Sequence, residues 1–195
     1  MPLIQDYTIR ITFLWCNLFL LLIIAGEYSI SWGGNKMKVG IIFGSKSDKD
    51  IMKNAAIALK EFEVEYEVHI LSAHRVPERL MEVIKEMENN GVECIIAGAG
   101  LAAHLPGVIA SHTVMPVIGV PIKAAIEGID SLLSIVQMPK SIPVATVGIN
   151  NSYNAGMLAV QILSLKNLEL KNKLVKYRKE MKETFIAENE EHFEF

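Results

Sequence analysis

Cysteine is nearly absent: Cys16 and Cys94 are the two in a chain of 195 residues. They form no CxxC pair and no ligand cluster, which excludes a disulfide framework and a structural zinc site. Both read as buried, reduced thiols. An excess of one charge is missing as well. Nineteen Lys and Arg stand against 22 Asp and Glu, a net charge of -3. So mild a balance leaves no electrostatic footprint for nucleic acid. No GxSxG elbow, HExxH helix or cysteine nucleophile occurs, and no carboxylate pair stands at metal-ligand spacing. The usual nucleophilic and metal-assisted routes are therefore without their residues. Internal repeats and low-complexity segments are missing too.

What is present is apolar. Half of the residues, 51%, are hydrophobic, enough for the core of one domain. The first 36 residues do not match the rest. "ITFLWCNLFLLLIIAG" (Ile11 to Gly26) is almost wholly apolar and follows Arg10. It falls short of the roughly 20 residues of a spanning helix and resembles the apolar part of a signal peptide. No clean small-x-small cleavage site follows it. The codons for Trp32-Gly33-Gly34-Asn35-Lys36-Met37 admit GGAGG a short distance before an ATG, the form of a ribosome-binding site. The expectation is that Met37 is the start and residues 1–36 a translated leader. A membrane anchor and a signal peptide are the alternatives.

From Met37 to residue 195 the pattern is regular. "MKVGIIF" reads as a strand buried on both faces, and "ECIIAGAG", "PVIGVP" and "IPVATVGI" as the third, fourth and fifth strands. "VEYEVHIL" alternates, placing Val64, Tyr66, Val68 and Ile70 on one face. Between the strands lie helical stretches. Ile51, Ala55, Leu59 and Phe62 form one stripe, and Leu80, Val83, Ile84 and Met87 another. "HLPGVIASHT", "GIDSLLSIVQM" and "NAGMLAVQILSL" supply the rest. This β-then-α rhythm predicts an α/β fold with a parallel sheet and helices on both faces. A last helix over 172–191 carries Leu174, Tyr177, Met181 and Phe185 on one stripe. With the five-strand core complete, a neighbouring subunit is expected to cover it.

Ligands of open parallel sheets bind beyond the carboxyl ends of the strands. Every unusual segment falls there: "GSKSD", "SAHR", "GAGLAAHLPG", "GVP" and "NNSYN". In "GSKSD" a glycine, Ser45, Ser47 and a helix start make an anion cradle. Neither P-loop nor dinucleotide spacing is present in it. Asp48 suits ribose hydroxyls, or serves only as the N-cap of the helix. Ser72 opens "SAHR". Arg75 offers a fork for phosphate, and His74 beside it carries an imidazole, the side chain that ordinarily titrates near neutrality. A second histidine, His104, lies in "AAHLPG". His69, His112 and His192 receive no role. The small residues from Ala97 to Gly107 let backbone approach a flat ligand. The joint expectation is proton transfer on a bound ribose phosphate, with no metal and no cofactor.

In order and spacing, "GSKSD", "SAHRVP", "AGAGLAAHLPG", "GVP", "DSLLSIVQMP" and "PVATV" resemble the N5-carboxyaminoimidazole ribonucleotide mutases of purine biosynthesis. The resemblance covers Val39 to Leu165 and extends to the C-terminal helix. It implies a flavodoxin-like three-layer α/β/α sandwich. It also implies a cytoplasmic homo-octamer with active sites at subunit contacts. By motif, Ser45, Asp48 and Arg75 hold the ribose 5-phosphate part. Ser47, Ser72 and His104 complete the binding set, and His74 is the general acid and base.

Three departures stand out. Val76 replaces a common threonine, Ser141 replaces a glycine, and "NNSYNAG" is shorter than the usual loop after strand five. The alternatives are a direct aminoimidazole ribonucleotide carboxylase using CO2, a non-catalytic flavin- or nucleotide-binding module on the same fold, and a membrane-tethered structural protein.

Overall fold

The structure is a computed structural model and describes residues 37–190. The leader, anchor and signal-peptide readings of residues 1–36 lie outside the described residues, as do Cys16 and His192. Five parallel strands form one sheet: β1 (Lys38–Phe43), β2 (Glu65–Ile70), β3 (Val92–Gly100), β4 (Val117–Ile122) and β5 (Ala145–Thr146). Their order is β2-β1-β3-β4-β5, the doubly wound order of flavodoxin-like folds. Six helices connect or follow them: α1 (Lys49–Glu61), α2 (Pro77–Asn89), α3 (Leu105–His112), α4 (Ile129–Val136), α5 (Ser152–Ser164) and α6 (Leu168–Glu188). Among the described residues no helix is long and apolar enough to cross a membrane.

Successive side chains of a strand point to opposite faces, so each central strand feeds two cores. Val39, Ile41, Cys94, Ile96, Ile118 and Val120 pack under α1, α5 and α6. Ile42, Ile95, Ala97 and Val117 pack under α2, α3 and α4, where Leu80, Val83, Ile84 and Met87 are all buried as expected. Burial pushes the Cys94 thiol up to about 12, so it stays protonated. Helices α1 and α5 touch at Gly156. A Cβ there would lie 2.7 Å from the Ala55 carbonyl oxygen and 2.7 Å from the Ala58 Cβ, so no side chain fits.

Two expectations need correction, and the shared face of β2 is covered at one end only. Of the β2 face, Val64 is buried and Tyr66 half-buried, but Val68 and Ile70 are 47% and 43% exposed. β2 is an edge strand, and its last apolar residues run past their cover. The fifth strand shrinks to two residues, because after Val147 the chain leaves the ladder. The last helix begins at Leu168, where the Asn167 side chain accepts from the Leu170 N–H at 2.8 Å. Its stripe does find an intramolecular face. Leu170 and Leu174 are buried in the domain's own core, and the Tyr177 ring meets Phe62 edge-on at 5.3 Å. The Tyr177 hydroxyl lies 3.1 Å from that of Tyr153, which is 2.6 Å from Glu61 Oε2. Burial, then the Glu61 carboxylate, holds the Tyr153 phenol well above its usual range, so it remains a donor. Met181 and Phe185 alone of the stripe stay exposed.

Two departures leave marks on the backbone. Val76 sits at the N-cap of α2 and makes no side-chain cap bond. Val76→Thr is expected to raise stability by about 1 kcal/mol. The denaturant midpoint at unchanged slope measures this, and an unmoved midpoint would count against the cap. Ser141 has φ 78°, in the left-handed region. That conformation costs a side-chain-bearing residue about 1–2 kcal/mol, and glycine's looser unfolded chain returns about 0.5–1. Ser141→Gly should therefore stabilise by up to about 1.5 kcal/mol in the same assay, and a destabilised variant would contradict the argument.

Candidate active site

The site is assembled from the turns that leave β1, β2, β3 and β4. After β1, Gly44 leads to Ser45, which caps a single 3-10 turn (Lys46–Asp48) by accepting from the Ser47 N–H at 3.3 Å. Ser47 Oγ lies 2.9 Å from Ser45 Oγ and 3.0 Å from Asp48 Oδ1, and its one proton serves either. Asp48 occupies the N-cap position of α1, yet its side chain makes no cap bond. The reading of Asp48 as a cap alone does not describe this geometry. Asp48 borders the cavity, and its carboxylate accepts from the Ser47 hydroxyl.

After β2 the Leu71 N–H adds one more rung to Phe43 O, and the chain then turns sharply. The N–H groups of Arg75 and Val76 both return to Ser72 O. This turn throws the Arg75 guanidinium back across β1, where Nη2 donates to Gly44 O at 2.9 Å. A guanidinium carries five N–H donors, so this bond anchors the fork and leaves others for a ligand. After β3, Leu101 takes φ 57°, and the tight turn delivers His104 at the start of α3. His104 Nδ1 then lies 2.8 Å from His74 Nε2, with the rings crossed at 86°. One nitrogen donates and the other accepts, so the two imidazoles share a proton position.

These pieces line a single cavity of about 560 Å³. Ser45, Ser47, Asp48, Ser72, His74, Arg75 and His104 all border it. Its volume suits a nucleotide-sized ligand. It brings together hydroxyls, a carboxylate, a guanidinium and two touching imidazoles. Among the described residues no three His, Cys, Asp or Glu side chains gather as a metal site. Leu101 and Ala102 in the wall come from the Ala97–Gly107 segment already singled out, whereas sequence reasoning missed Ala124, because a lone small residue looks alike in walls and in cores. "NNSYN" does not line the cavity.

A family model described as AIR carboxylase matches residues 38–184. A protein of Pyrococcus abyssi named N5-carboxyaminoimidazole ribonucleotide mutase is 62% identical over 146 residues, 74% of this chain and 84% of that protein. A protein of the same name from Methanocaldococcus jannaschii is 53% identical over 150 residues, 77% of this chain and 94% of that protein. The crystal structure of Treponema denticola PurE superposes with a TM-score of 0.73 at 29% identity, covering 78% of this chain and 96% of that one. The fold, the order of the motifs and the family match run over the same residues, and the chain belongs to the AIR carboxylase family.

Proposed function

We propose that this enzyme converts N5-carboxyaminoimidazole ribonucleotide to 4-carboxyaminoimidazole ribonucleotide in de novo purine biosynthesis. It is an isomerase that moves a carboxylate from the exocyclic nitrogen to ring carbon C4. The observation that carries the reading is the imidazole pair, His74 and His104 at 2.8 Å, in one cavity with an anion cradle.

The chain's groups divide the work. Arg75 and the Ser45–Ser47 turn receive the 5-phosphate, and Asp48 accepts from the ribose hydroxyls. His74 gives a proton to the exocyclic nitrogen. The carbamate C–N bond then breaks and CO2 is released within the cavity. The aminoimidazole left behind is enamine-like, so C4 attacks the CO2 carbon. The adduct still carries a hydrogen on C4. His74, now neutral, removes it and restores the aromatic ring. One proton is given and one is taken, so the cycle closes with no redox step. His104, hydrogen-bonded to His74, steadies the ring and borders the space of the migrating carboxyl group. Proton transfer of this kind is worth roughly 10²–10⁴ in rate, and confinement of CO2 supplies proximity.

We also infer that the domain works as a homo-oligomer in the cytoplasm, with the octamer as the assembly implied by the family resemblance. Ile129, Leu133 and Val136 on α4 and Leu101 at the cavity rim are 45–55% exposed, an apolar surface that suits a subunit contact. A phosphorylated ribonucleotide is charged and does not cross membranes, which fits a cytoplasmic site. The deciding assay supplies each substrate in turn. The N5-carboxylated substrate should be consumed in bicarbonate-free buffer. Preferred turnover of aminoimidazole ribonucleotide with CO2 would overturn the proposal in favour of direct carboxylation.

A further inference from the structure

We propose that Asn150 is a positioning residue for this reaction: its side-chain carbonyl supplies a missing strand rung and fixes the cavity wall that follows β4. The kinetic part rests on the proposed reaction, and the geometric part stands without it. β5 pairs with β4 only through Ala145 and Thr146, opposite Ile118 and Gly119. The Val147 N–H adds one rung to Gly119 O at 3.1 Å. The chain then leaves the sheet through Gly148 and Ile149 and returns at Asn150. The Asn150 N–H donates to Pro121 O at 2.8 Å, and Asn150 Oδ1 accepts from the Lys123 N–H at 2.8 Å.

In a parallel ladder one residue donates to residue i of its neighbour and accepts from residue i+2. Asn150 does both, but the accepting oxygen belongs to its side chain. Its backbone, at φ 59°, has left the strand path. Asparagine is one of the few residues that tolerates this conformation while its side chain imitates a peptide.

The imitated rung matters for what it holds. Lys123 leads directly to Ala124 in the cavity wall. Ala124 and the Ile122 carbonyl press so closely on Gly100 that a Cβ there would sit 3.3 Å and 3.2 Å from them. Gly100 begins the turn that carries Leu101 and delivers His104 to His74. A loosened Lys123–Ala124 segment therefore frees the wall beside the imidazole pair. The phosphate end is built on the turns after β1 and β2, which Asn150 does not touch. The expected signature is a fall in kcat with KM nearly unchanged.

Two variants of the full chain test this, because both tolerate a left-handed backbone. Asn150→Gly keeps the conformation and removes the acceptor, whereas Asn150→Asp keeps both. Hydrogen exchange of the 121–126 segment and steady-state kinetics are the readouts. Asn150→Gly should speed exchange there and lower kcat about tenfold, with KM within about twofold. Asn150→Asp should restore both. Parent-like exchange and kcat in Asn150→Gly would overturn the inference, as would an Asn150→Asp variant equally impaired. An inactive parent would count against the proposed reaction, and exchange alone would then decide the role of Asn150.

Discussion

His74→Asn is expected to lower turnover at least about a thousandfold and to leave ribonucleotide affinity within about threefold. The size follows from using one imidazole twice. His74 must first donate a proton to the exocyclic nitrogen and then accept one from C4, so its loss strikes both steps. Asparagine can still hydrogen-bond but cannot exchange a proton. Affinity is spared because Arg75 is anchored to Gly44 O by its own bond, and Ser45 and Asp48 sit on the turn after β1. None of these depends on the His74 ring. Calorimetry of substrate binding and a rate assay on the same preparation separate the two quantities. Activity within tenfold of the parent would remove His74 from the acid and base role. Lost affinity would instead place it in binding.

The cavity was legible in the sequence because of where its residues fall. A parallel sheet gathers the ends of its strands on one side, so "GSKSD", "SAHR" and "AAHLPG" had to meet if the strands were read correctly. The three central strands and α2 matched because long apolar runs and a full helical stripe admit one arrangement. The edges did not. Val68 and Ile70 carry the alternation of a half-buried strand, yet alternation does not say how far the neighbouring helix reaches. "IPVATVGI" reads as a full strand, but its ladder ends after Val147 and one further rung is taken by the Asn150 side chain, a substitution that no periodicity reveals. Asp48 could be read as a ribose ligand or as a cap because caps and ligand carboxylates share a position. The Ser45 hydroxyl makes the cap bond of the preceding turn instead. For Val76 and Ser141 the departure from the family pattern was visible in sequence. Its physical form, an uncapped helix start and a left-handed serine, needed coordinates.

The C-terminal helix should split into two halves with separate effects. Leu174 is 8% exposed and lies in the domain's own core, so Leu174→Ala should cost about 2–5 kcal/mol of folding stability. Met181 and Phe185 are 51% and 66% exposed, four residues apart on the same stripe. Replacing both by serine should change the unfolding free energy of the isolated subunit by no more than about 0.5 kcal/mol. Its effect is expected in the proposed assembly. Burying the exposed half of each side chain is worth roughly 1 kcal/mol, and a symmetric contact counts both residues from both subunits. The sum, about 4 kcal/mol, is roughly a thousandfold in the dissociation constant of that contact. The double variant should therefore appear as smaller species in light scattering. Its specific activity should fall on dilution if the cavity rim at Leu101 needs a neighbour. A double variant with the parent's mass at every concentration would refute the contact, and a monomeric parent with full activity would refute the assembly itself.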